Sequence, residues 1–396
     1  MSKLWEKPGA EPVDALVLRY TAGEDHALDN RLVEYDVRAS IAHAEMLAER
    51  DLLAPRDLEA IRHGLGLLAA EHAAGHWRVE LEDEDCHTAL ERRLTQRIGS
   101  AGARVHLGRS RNDQVVAALR LYLRDAVGSL TVGALAVAAV LDDLAERERE
   151  TAIPGYTHMQ PAMPSSVPLW AGGFAAELRD DAEGLKACRR RIEKNPLGSA
   201  AGYGVPLLPI DREATRAKLG FSEVQEPVTA VQLSRGKAEA QVGFEITLLM
   251  QDFGRLAADL ALFSTKEFGF VALPDAMTTG SSIMPQKRNP DVFELVRGRG
   301  AAGLAALVEL LSIPAKLPSG YHRDLQLLKV PLFRAIDLAL ATADILAHAI
   351  PGVRFLADKI QLDPELFAAE EAYRLVINEG IPFREAYVRV AERFRK

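Results

Sequence analysis

"NDQVVAALRLYLRDAVGSLTVGALAVAAVLDDLAERERE", residues 112–150, is rich in Ala, Leu and Val and contains no proline. Its length exceeds the about 8–20 residues of an ordinary globular helix, so it predicts a long helix of a bundle. Strand-like alternation is nearly absent from the chain. The fold class predicted from these patterns is all-α, with short amphipathic helices at 36–50, 55–74 and 83–98 and long ones at 166–193, 236–267, 290–312 and 331–350.

The long helical runs are apolar on nearly every side. "AAGLAALVELL" (301–311) is typical of the two regions 112–193 and 236–312. A helix that is apolar all round must be buried all round. One chain of 396 residues hardly buries several such helices, so the pattern predicts an oligomer of this chain.

Composition excludes several classes of protein. Hydrophobic residues make up 48% and charged residues 26% of the chain, which is typical of a globular protein. A net charge of −8 argues against nucleic acid as a partner, and "RRRIEK" (189–194) is interpreted as a solvated helix face. Apolar stretches such as "TVGALAVAAVL" (131–141) fall short of the about 20 residues that span a bilayer.

The cellular compartment is predicted from the cysteines and the first residues. Two cysteines, Cys86 and Cys188, indicate a reducing compartment. The opening "MSKLWEKPGAEPVD" has no apolar core and is not a secretion signal. We therefore expect a cytoplasmic protein with no membrane partner.

Domain boundaries are predicted near 108 and 350, which gives an N-terminal helical domain (1–108), a central long-helix domain (109–350) and a short C-terminal helical domain (351–396).

The stretch "TTGSSIMPQKRNPDV" (278–292) interrupts the apolar helices with polar groups. Asn289 followed by Pro290 predicts the start of a helix, with asparagine as its N-cap. This does not explain Ser281, nor Lys287 in front of a helix N-terminus. Loop N–H groups, a lysine and the positive end of a helix together indicate a site for an anion such as a carboxylate.

A second polar stretch, "HLGRSRND" (106–113), precedes the longest helix. Cations at a helix N-terminus oppose the helix dipole, so Arg109 and Arg111 need an anion nearby. The planar guanidinium group suits carboxylates. We interpret this stretch as a second part of a carboxylate-binding site rather than as a capped helix start with exposed cations.

Histidines and acidic residues in the remaining loops leave other options open. His158, in the proline-bounded loop "PGYTHMQPAMP" (154–164), suits proton transfer, although a lone histidine is more often structural. "EDEDCH" (82–87) with Glu91 raises the possibility of a metal, but no second histidine at ligand spacing supports one. "GSAAGYG" (198–204) lacks the Gly-Lys-Ser/Thr of a phosphate loop. Neither a metal nor a nucleotide is predicted.

Together these loops resemble those of the argininosuccinate lyases of the aspartase/fumarase superfamily. The resemblance runs from about residue 30 to 350, and "GIPFREA" (380–386) resembles the family's C-terminal domain. Its motifs are "DEDCHTALERRL" (83–94), "HLGRSRNDQV" (106–115), "PGYTHMQP" (154–161), "PLGSAAGYG" (196–204) and "FSTKEFGFVALPDAMTTGSSIMPQKRNP" (263–290).

The resemblance implies a homotetramer in which the central helices form a twenty-helix bundle and each active site combines loops of three subunits. It also implies the reversible β-elimination of argininosuccinate to arginine and fumarate, without a cofactor. Two alternatives stay open: a fumarate-releasing lyase acting on another N-succinyl amine or amino acid, and a catalytically silent structural homologue.

Roles for individual residues follow from the resemblance alone. Ser281 is implied as the base that removes a proton beside a carboxylate, and Lys287 and Asn289 as the groups that hold this carboxylate. His158, paired with Glu294 of another subunit, is implied in proton donation to the leaving nitrogen. The remaining implied residues bind the succinyl carboxylates (Ser110, Arg111, Asn112, Thr157), contact the arginine part (Tyr321, Gln326) or support the pocket (His87, His106).

Departures from the family's motifs gather where the amine-bearing half should bind. Leu107 replaces a threonine, His322 replaces an asparagine, and "LSRGKAE" (233–239) lacks the family's acidic groups. The family's tryptophan-glycine motif is absent after Trp5. A serine that contacts the substrate in the family has no clear equivalent in "RYTAGEDHALDN" (19–30). The sequence stops at Lys396, where members of the family usually continue. The elimination chemistry is therefore predicted more firmly than the identity of the amine.

Overall fold

A computed structural model describes residues 13–394, and the predicted all-α fold is confirmed. The segment after Trp5 and the last residue, Lys396, lie outside the described residues. The α-helices are α1 (Ala15–Ala22), α2 (Asp25–Leu28), α3 (Val33–Glu49), α4 (Pro55–Ala73), α5 (Cys86–Ile98), α6 (Ser100–Ala103), α7 (Arg111–Arg147), α8 (Val167–Ile192), α9 (Arg212–Leu219), α10 (Ala230–Leu233), α11 (Lys237–Phe263), α12 (Asp291–Ser312), α13 (Lys329–Ala349), α14 (Ala368–Glu379) and α15 (Phe383–Arg393).

Short strands form three two-stranded sheets in residues 13–394. The first and third sheets are antiparallel and the second is parallel. Their strands are β1 (Ala152–Thr157) with β2 (Gln160–Ser166), β3 (Lys194–Asn195) with β4 (Glu223–Val224), and β5 (Val271–Ala272) with β6 (Arg354–Phe355).

The prediction of a loop at 154–164 was wrong, because this segment is the β1–β2 hairpin. Its register pairs Pro154 with Pro164 and Thr157 with Gln160. Prolines are tolerated here because each strand of a two-stranded ribbon has an edge that needs no partner. His158 and Met159 make the turn with φ of 54° and 61°, the left-handed conformation that a tight two-residue hairpin turn requires.

The chain divides into two compact units. The first comprises the residues up to Ser129, Gly184–Ile246 and Ala302–Asp337, and the second comprises Leu130–Glu183, Thr247–Ala301 and the residues from Leu338 on. Helices α7, α8, α11, α12 and α13 each supply residues to both units. The domain boundaries near 108 and 350 stay a prediction.

In the first unit, small residues allow helices to pack closely. A Cβ atom added to Gly102 of α6 would lie 2.8 Å from the backbone N and Cα of Thr95 in α5. A Cβ added to Gly243 of α11 would lie 2.7 Å from Leu310 of α12. The core there includes the buried side chains of Ala39, Ala42, Ala117, Leu121, Leu197, Leu219 and Phe221.

Helix α7 is long and apolar enough to cross a membrane by length and composition alone, a test that the core helix of a soluble protein also passes. Within the first unit its polar side chains make specific protein contacts. Asp113 accepts hydrogen bonds from Gly198 N (3.1 Å) and Ala200 N (2.9 Å). Arg120 donates to Ser234 Oγ at 2.8 Å. These buried contacts are those of a protein core helix.

In the second unit, aromatic side chains surround Trp170 of α8. Its Nε1 donates to Asp259 of α11 at 2.9 Å. The rings of Phe263 and Phe355 both lie 5.7 Å from the ring of Trp170. Aromatic contacts of this kind stabilise a core beyond the area they bury. They connect α8 and α11 to β6.

Candidate active site

A cavity of about 400 Å³ in the first unit collects most of the predicted binding residues. Five of the residues predicted from the sequence line it: His87, Arg111, Asn112, Tyr321 and Gln326. The other lining residues are Ala22, Asp25, Asp29, Glu84, Asp85, Val115, Arg235, Arg323 and Lys329. Four carboxylates and four cationic side chains share the wall, so the cavity suits a ligand that carries charges of both signs.

At the N-terminus of α7, Arg111 faces the acidic end of the "EDED" run. Its Nη1 lies 3.2 Å from Asp85 and 3.6 Å from Glu84. Asp85 also caps α5, because its Oδ1 accepts from Thr88 N at 2.8 Å. Burial would raise the pKa of Asp85, but Arg111, His87 and the hydrogen bonds of Thr88 together outweigh it, and the net pKa is lowered. Arg111 is thus held as a cation in the cavity wall.

Glu84 has a left-handed backbone, with φ of 67°. This conformation is uncommon for a residue other than glycine and costs on the order of 1–3 kcal/mol. The Glu84 carboxylate lies 3.6 Å from both Arg111 and Arg323. The strained turn therefore places a carboxylate between two cations of the cavity wall.

Arg109 does not take part in this cavity. Its guanidinium is buried, donates to Ser40 Oγ at 2.9 Å and lies 3.4 Å from Asp36. The prediction that Arg109 needs an anion holds, but that anion is the protein's own Asp36. The interpretation of Arg109 as part of a ligand site was wrong, because only Arg111 of the two faces the cavity.

Asp36 also holds His87. The two side chains are buried, and His87 Nδ1 lies 3.0 Å from Asp36 Oδ2. Burial would lower the pKa of His87, but the carboxylates of Asp36, Asp85 and Asp29 together outweigh it, and the net pKa is raised. His87 therefore presents a positively charged ring to the cavity when it is protonated.

Ser110 and His106 lie beside the cavity in the chain but do not line it. Ser110 Oγ accepts from Asn112 N at 3.3 Å, at the start of α7. His106 Nδ1 lies 3.1 Å from the carboxylate of Glu91. Leu107 leaves its side chain exposed and its carbonyl accepts from His43 Nε2 at 2.8 Å.

The wall formed by α2, Tyr321 and the residues before α13 was only partly predicted. Gln326 Nε2 donates to Thr21 O at 2.8 Å and so ties this wall to the segment before α2. Lys329, buried one turn further, lies 2.5 Å from Asp29 and 2.9 Å from Asp25. His322, by contrast, contacts Pro318 O at 3.1 Å and does not line the cavity.

The segment 233–239 contributes a buried ion pair. Arg235, which lines the cavity, lies 3.2 Å from Glu239, and Glu239 also accepts from Gly236 N at 2.8 Å. Glu239 is the only acidic residue of this segment, and it does not line the cavity. Arg235 is paired within the segment, and the acidic groups that line the cavity come from elsewhere in the unit.

In the second unit, the loop 278–292 has a defined conformation. Thr279 N donates to Asn289 O at 3.3 Å and Asn289 N donates to Thr279 O at 2.9 Å, which closes the loop at its base. Ser281 Oγ accepts from the N–H groups of Ile283 (3.3 Å) and Met284 (3.2 Å). Lys287 is exposed at the tip of the loop, and Glu294 is exposed in the first turn of α12.

The predicted N-cap role of Asn289 was wrong. Helix α12 begins at Asp291, and the carbonyl of Pro290 accepts from Glu294 N at 3.1 Å. Asn289 Nδ2 instead donates to Thr279 Oγ1 at 3.3 Å. Asn289 therefore braces the loop rather than capping the helix.

Thr157 and His158 sit at the tip of the β1–β2 hairpin, and both are exposed. Because the turn holds His158 at positive φ, the conformation of its backbone carries strain. Strained residues often occur at functional sites. The hairpin thus displays the His158 side chain outward from a short, fixed turn.

Asp29, Cys86 and His87 place three possible metal ligands within 4.8 Å of one another. Two of the three already have another partner: Asp29 is paired with Lys329, and His87 is paired with Asp36. Burial raises the pKa of the Cys86 thiol, which disfavours the thiolate that binds metals. These residues do not fit a resident metal ion.

Known proteins share the sequence pattern and the fold of this chain. A family model described as "Lyase" matches residues 10–302. The argininosuccinate lyase of Sorangium cellulosum is 49% identical over 391 residues, which cover 98% of this chain and 90% of that protein. Two crystal structures share the fold. EDDS lyase in complex with formate has a TM-score of 0.82 and 24% sequence identity, and the match covers 96% of this chain and 76% of that chain. The class II fumarase of Schistosoma mansoni has a TM-score of 0.79 and 18% sequence identity, and the match covers 96% of this chain and 89% of that chain.

Proposed function

The chain belongs to the argininosuccinate lyase family of the aspartase/fumarase superfamily, and from this premise we propose that it cleaves argininosuccinate reversibly into arginine and fumarate. One observation carries the proposal. Arg111 and Asn112, predicted for the succinyl half, and Tyr321 and Gln326, predicted for the arginine half, line one cavity. The charges of both signs on its wall match a substrate that carries carboxylates together with ammonium and guanidinium groups.

Ser281 is the base in this proposal. It removes a proton from the carbon beside a succinyl carboxylate, which becomes a doubly charged aci-form. A serine is a poor base unless its alkoxide is stabilised. The N–H groups of Ile283 and Met284, which already donate to Ser281 Oγ, supply that stabilisation.

Lys287 and Asn289 hold the aci-carboxylate, because fixed donors aimed at developing charge lower the barrier. The bond between the carbon and the leaving nitrogen then breaks, its electron pair stays on nitrogen, and fumarate forms. His158, paired with Glu294 of another subunit, assists the proton transfer to this nitrogen. Ser110 and Thr157 bind the succinyl carboxylates, and His87 and His106 support the pocket.

The active form in this proposal is a homotetramer in the cytoplasm, with a twenty-helix bundle at its centre and sites shared by three subunits. Large apolar side chains on the long helices are exposed in the single chain and support this assembly. They include Val132 (67% exposed), Leu169 (71%), Leu295 (58%), Leu304, Val308 and Leu311. The free, buried thiols of Cys86 and Cys188 fit a reducing compartment.

The test follows fumarate by its ultraviolet absorbance. Purified protein is mixed with argininosuccinate, and a rise in absorbance is expected. A rise with another N-succinyl amine or amino acid, but not with argininosuccinate, would replace the proposal by a related fumarate-releasing lyase. No rise with any of these compounds would identify a silent homologue.

A further inference from the structure

Asp113, in the first turn of α7, is a fully buried carboxylate that the proposed mechanism does not use. Its Oδ1 accepts from Ser110 N at 3.0 Å, while Ser110 Oγ accepts from Asn112 N at 3.3 Å. These reciprocal contacts form a capping box at the start of the helix. The start of α7 therefore accounts for one of the two oxygens of Asp113.

The other oxygen of Asp113 serves a segment more than 80 positions further along the chain. Its Oδ2 accepts from Gly198 N at 3.1 Å and from Ala200 N at 2.9 Å. A buried carboxylate is destabilising unless its oxygens are hydrogen-bonded. Burial raises the pKa of Asp113 against these N–H groups and Arg109, which lower it. Capping of α7 does not require the contacts of Oδ2, so they point to a second role.

Residues 198–204, here named the glycine turn, have an unusual backbone at the end that Asp113 holds. Gly198 and Ala200 have φ of 83° and 49°. The left-handed conformation of Ala200 is unfavourable for a residue with a Cβ atom. Asp113 accepts from the N–H groups of both residues, so its carboxylate fixes the turn in this conformation.

The glycine turn contacts both sides of the cavity wall. On the side assigned to the succinyl half, Asn112 Nδ2 donates to Ala201 O at 3.4 Å. On the side assigned to the amine half, a Cβ atom added to Gly320 would lie 3.4 Å from Tyr203 Oη, so Tyr203 packs against the residue before Tyr321. Asn112 and Tyr321 both line the cavity. The turn thus joins the two halves of the site.

We propose that Asp113 is a positioning residue that, through the glycine turn, fixes the placement of Asn112 relative to Tyr321. This inference rests on the proposed function. Asp113 does not itself line the cavity, so it acts on the substrate only through these neighbours. The distance between the groups that bind the succinyl half and those that bind the amine half then depends on one buried carboxylate.

Asp113→Asn tests the second oxygen while it spares the start of the helix. The amide oxygen of asparagine can still accept from Ser110 N, but its NH2 group then faces the N–H groups of Gly198 and Ala200, donor against donor. KM for argininosuccinate is expected to rise by about 10–100-fold, the range for lost hydrogen bonds to a charged group. Asp143→Asn, at an exposed position of the same helix, is the matched control and should keep the wild-type KM.

The split between KM and kcat separates positioning from stability. A displaced cavity wall weakens the binding of substrate and transition state alike, which raises KM and changes kcat less. The melting temperature is measured for each variant. If Asp113→Asn lowers the melting temperature while the folded protein keeps the wild-type KM, the role of Asp113 is structural alone and the inference is overturned.

Binding of succinate distinguishes a failure of this inference from a failure of the proposed function. Succinate carries the two carboxylates of the succinyl half, and calorimetry measures its binding without turnover. If the wild type does not turn over argininosuccinate but binds succinate, the proposed function fails. Weaker succinate binding by Asp113→Asn then supports the inference, and equal binding overturns it. A wild type that neither turns over argininosuccinate nor binds succinate overturns both.

Tyr203→Ala replaces Asp113→Asn as the test if the latter does not fold. Tyr203 is 68% exposed, so its truncation leaves the core intact. Loss of its contact with Gly320 should raise KM for argininosuccinate, by a smaller factor because Asn112 keeps its partner in the turn. Leu207→Ala, at a 96% exposed residue of the loop that follows, is the control and should keep the wild-type KM. A raised KM in Tyr203→Ala supports the inference, and an unchanged KM overturns it.

Discussion

The Nδ1 atom of His87 lies 3.0 Å from Oδ2 of Asp36, and both side chains are almost fully buried. Asp36 also lies 3.4 Å from Arg109. Asp36 is thus a carboxylate with two cationic partners, one of which lines the proposed active site. Burial would raise the pKa of Asp36, but His87 and Arg109 outweigh it and the net pKa is lowered.

Asp36→Asn should lower the free energy of unfolding by about 3–5 kcal/mol, because it leaves two buried cations without their carboxylate. Because the pKa of Asp36 is lowered on folding, the stabilisation that its carboxylate gives the folded state is lost as pH falls below 3.8, the ordinary pKa of an aspartate. Because the pKa of His87 is raised on folding, the stabilisation that the protonated ring gives the folded state is complete below pH 6.5, the ordinary pKa of a histidine. It is lost as pH rises through the pKa of His87 in the folded protein.

Urea unfolding at several pH values measures this effect. The difference between wild type and Asp36→Asn should be largest between about pH 4 and 6.5. Asp337→Asn, which removes the exposed partner of Arg31, is the control and should cost at most about 1 kcal/mol. Equal costs for the two variants would contradict a stabilising role for the buried pair.

Ser281→Ala should lower kcat by about 10²–10⁴-fold, the usual contribution of a general base. The loop should keep its conformation, because its closing hydrogen bonds join Thr279 to Asn289. Turnover of argininosuccinate and the oligomeric state are both measured. Ser282→Ala, at the adjacent exposed position, should stay close to wild type. Near-normal turnover of Ser281→Ala would remove this serine from the role of base.

The sequence predicted the helices well because their signals are local. Each of the predicted long helices occurs with ends within four residues of the predicted ones, since apolar periodicity and proline positions act over a few turns. The β1–β2 hairpin was missed because its strands contain three prolines and a His-Met turn in place of the usual Asn-Gly. Short ribbons have weaker local signals than helices.

Contacts distant in sequence explain what was missed in the cavity. Lys329 pairs with Asp29 across 300 positions of the chain. No spacing rule connects such residues, so the two were not predicted as site residues. Asp25 lies in the segment 19–30, where no motif marks a site residue. Arg111 and Tyr321, by contrast, belong to recognisable motifs, and both line the cavity.

Two glycines test the close packing of helices in the first unit. Gly102→Ala should destabilise the protein by about 1–3 kcal/mol or more, because its new Cβ would lie 2.8 Å from the backbone of Thr95. Gly66→Ala, in the exposed part of α4 with no atom within 4 Å of the new Cβ, should stabilise it by about 0.5–1 kcal/mol. Thermal unfolding measures both, and a stabilising Gly102→Ala would show that α5 and α6 separate easily.

Mixing two inactive variants tests the sharing of sites between subunits. The Ser281→Ala and His158→Asn proteins should each have low activity on their own. After subunits are exchanged by mild denaturation and refolding, some mixed sites contain both an intact Ser281 and an intact His158, so activity should partly return. Subunit exchange is confirmed by a mass tag on one variant. Proven exchange without recovered turnover would argue that both residues of a site come from one chain.

Asp25 makes the stability of the protein depend on pH in a predictable direction. Burial raises its pKa from 3.8 to about 7, so the folded state holds a proton that the unfolded state releases between these values. Its stabilisation is therefore complete below pH 3.8 and is lost as pH rises through about 7. At roughly 1.4 kcal/mol per pH unit, the wild type should lose about 4 kcal/mol relative to Asp25→Asn across this range. Urea unfolding at closely spaced pH values, with arginine absent, measures the difference. A constant difference from pH 4 to 8 would show that Asp25 keeps an ordinary pKa, and Asp25 would then be a carboxylate already balanced by Lys329.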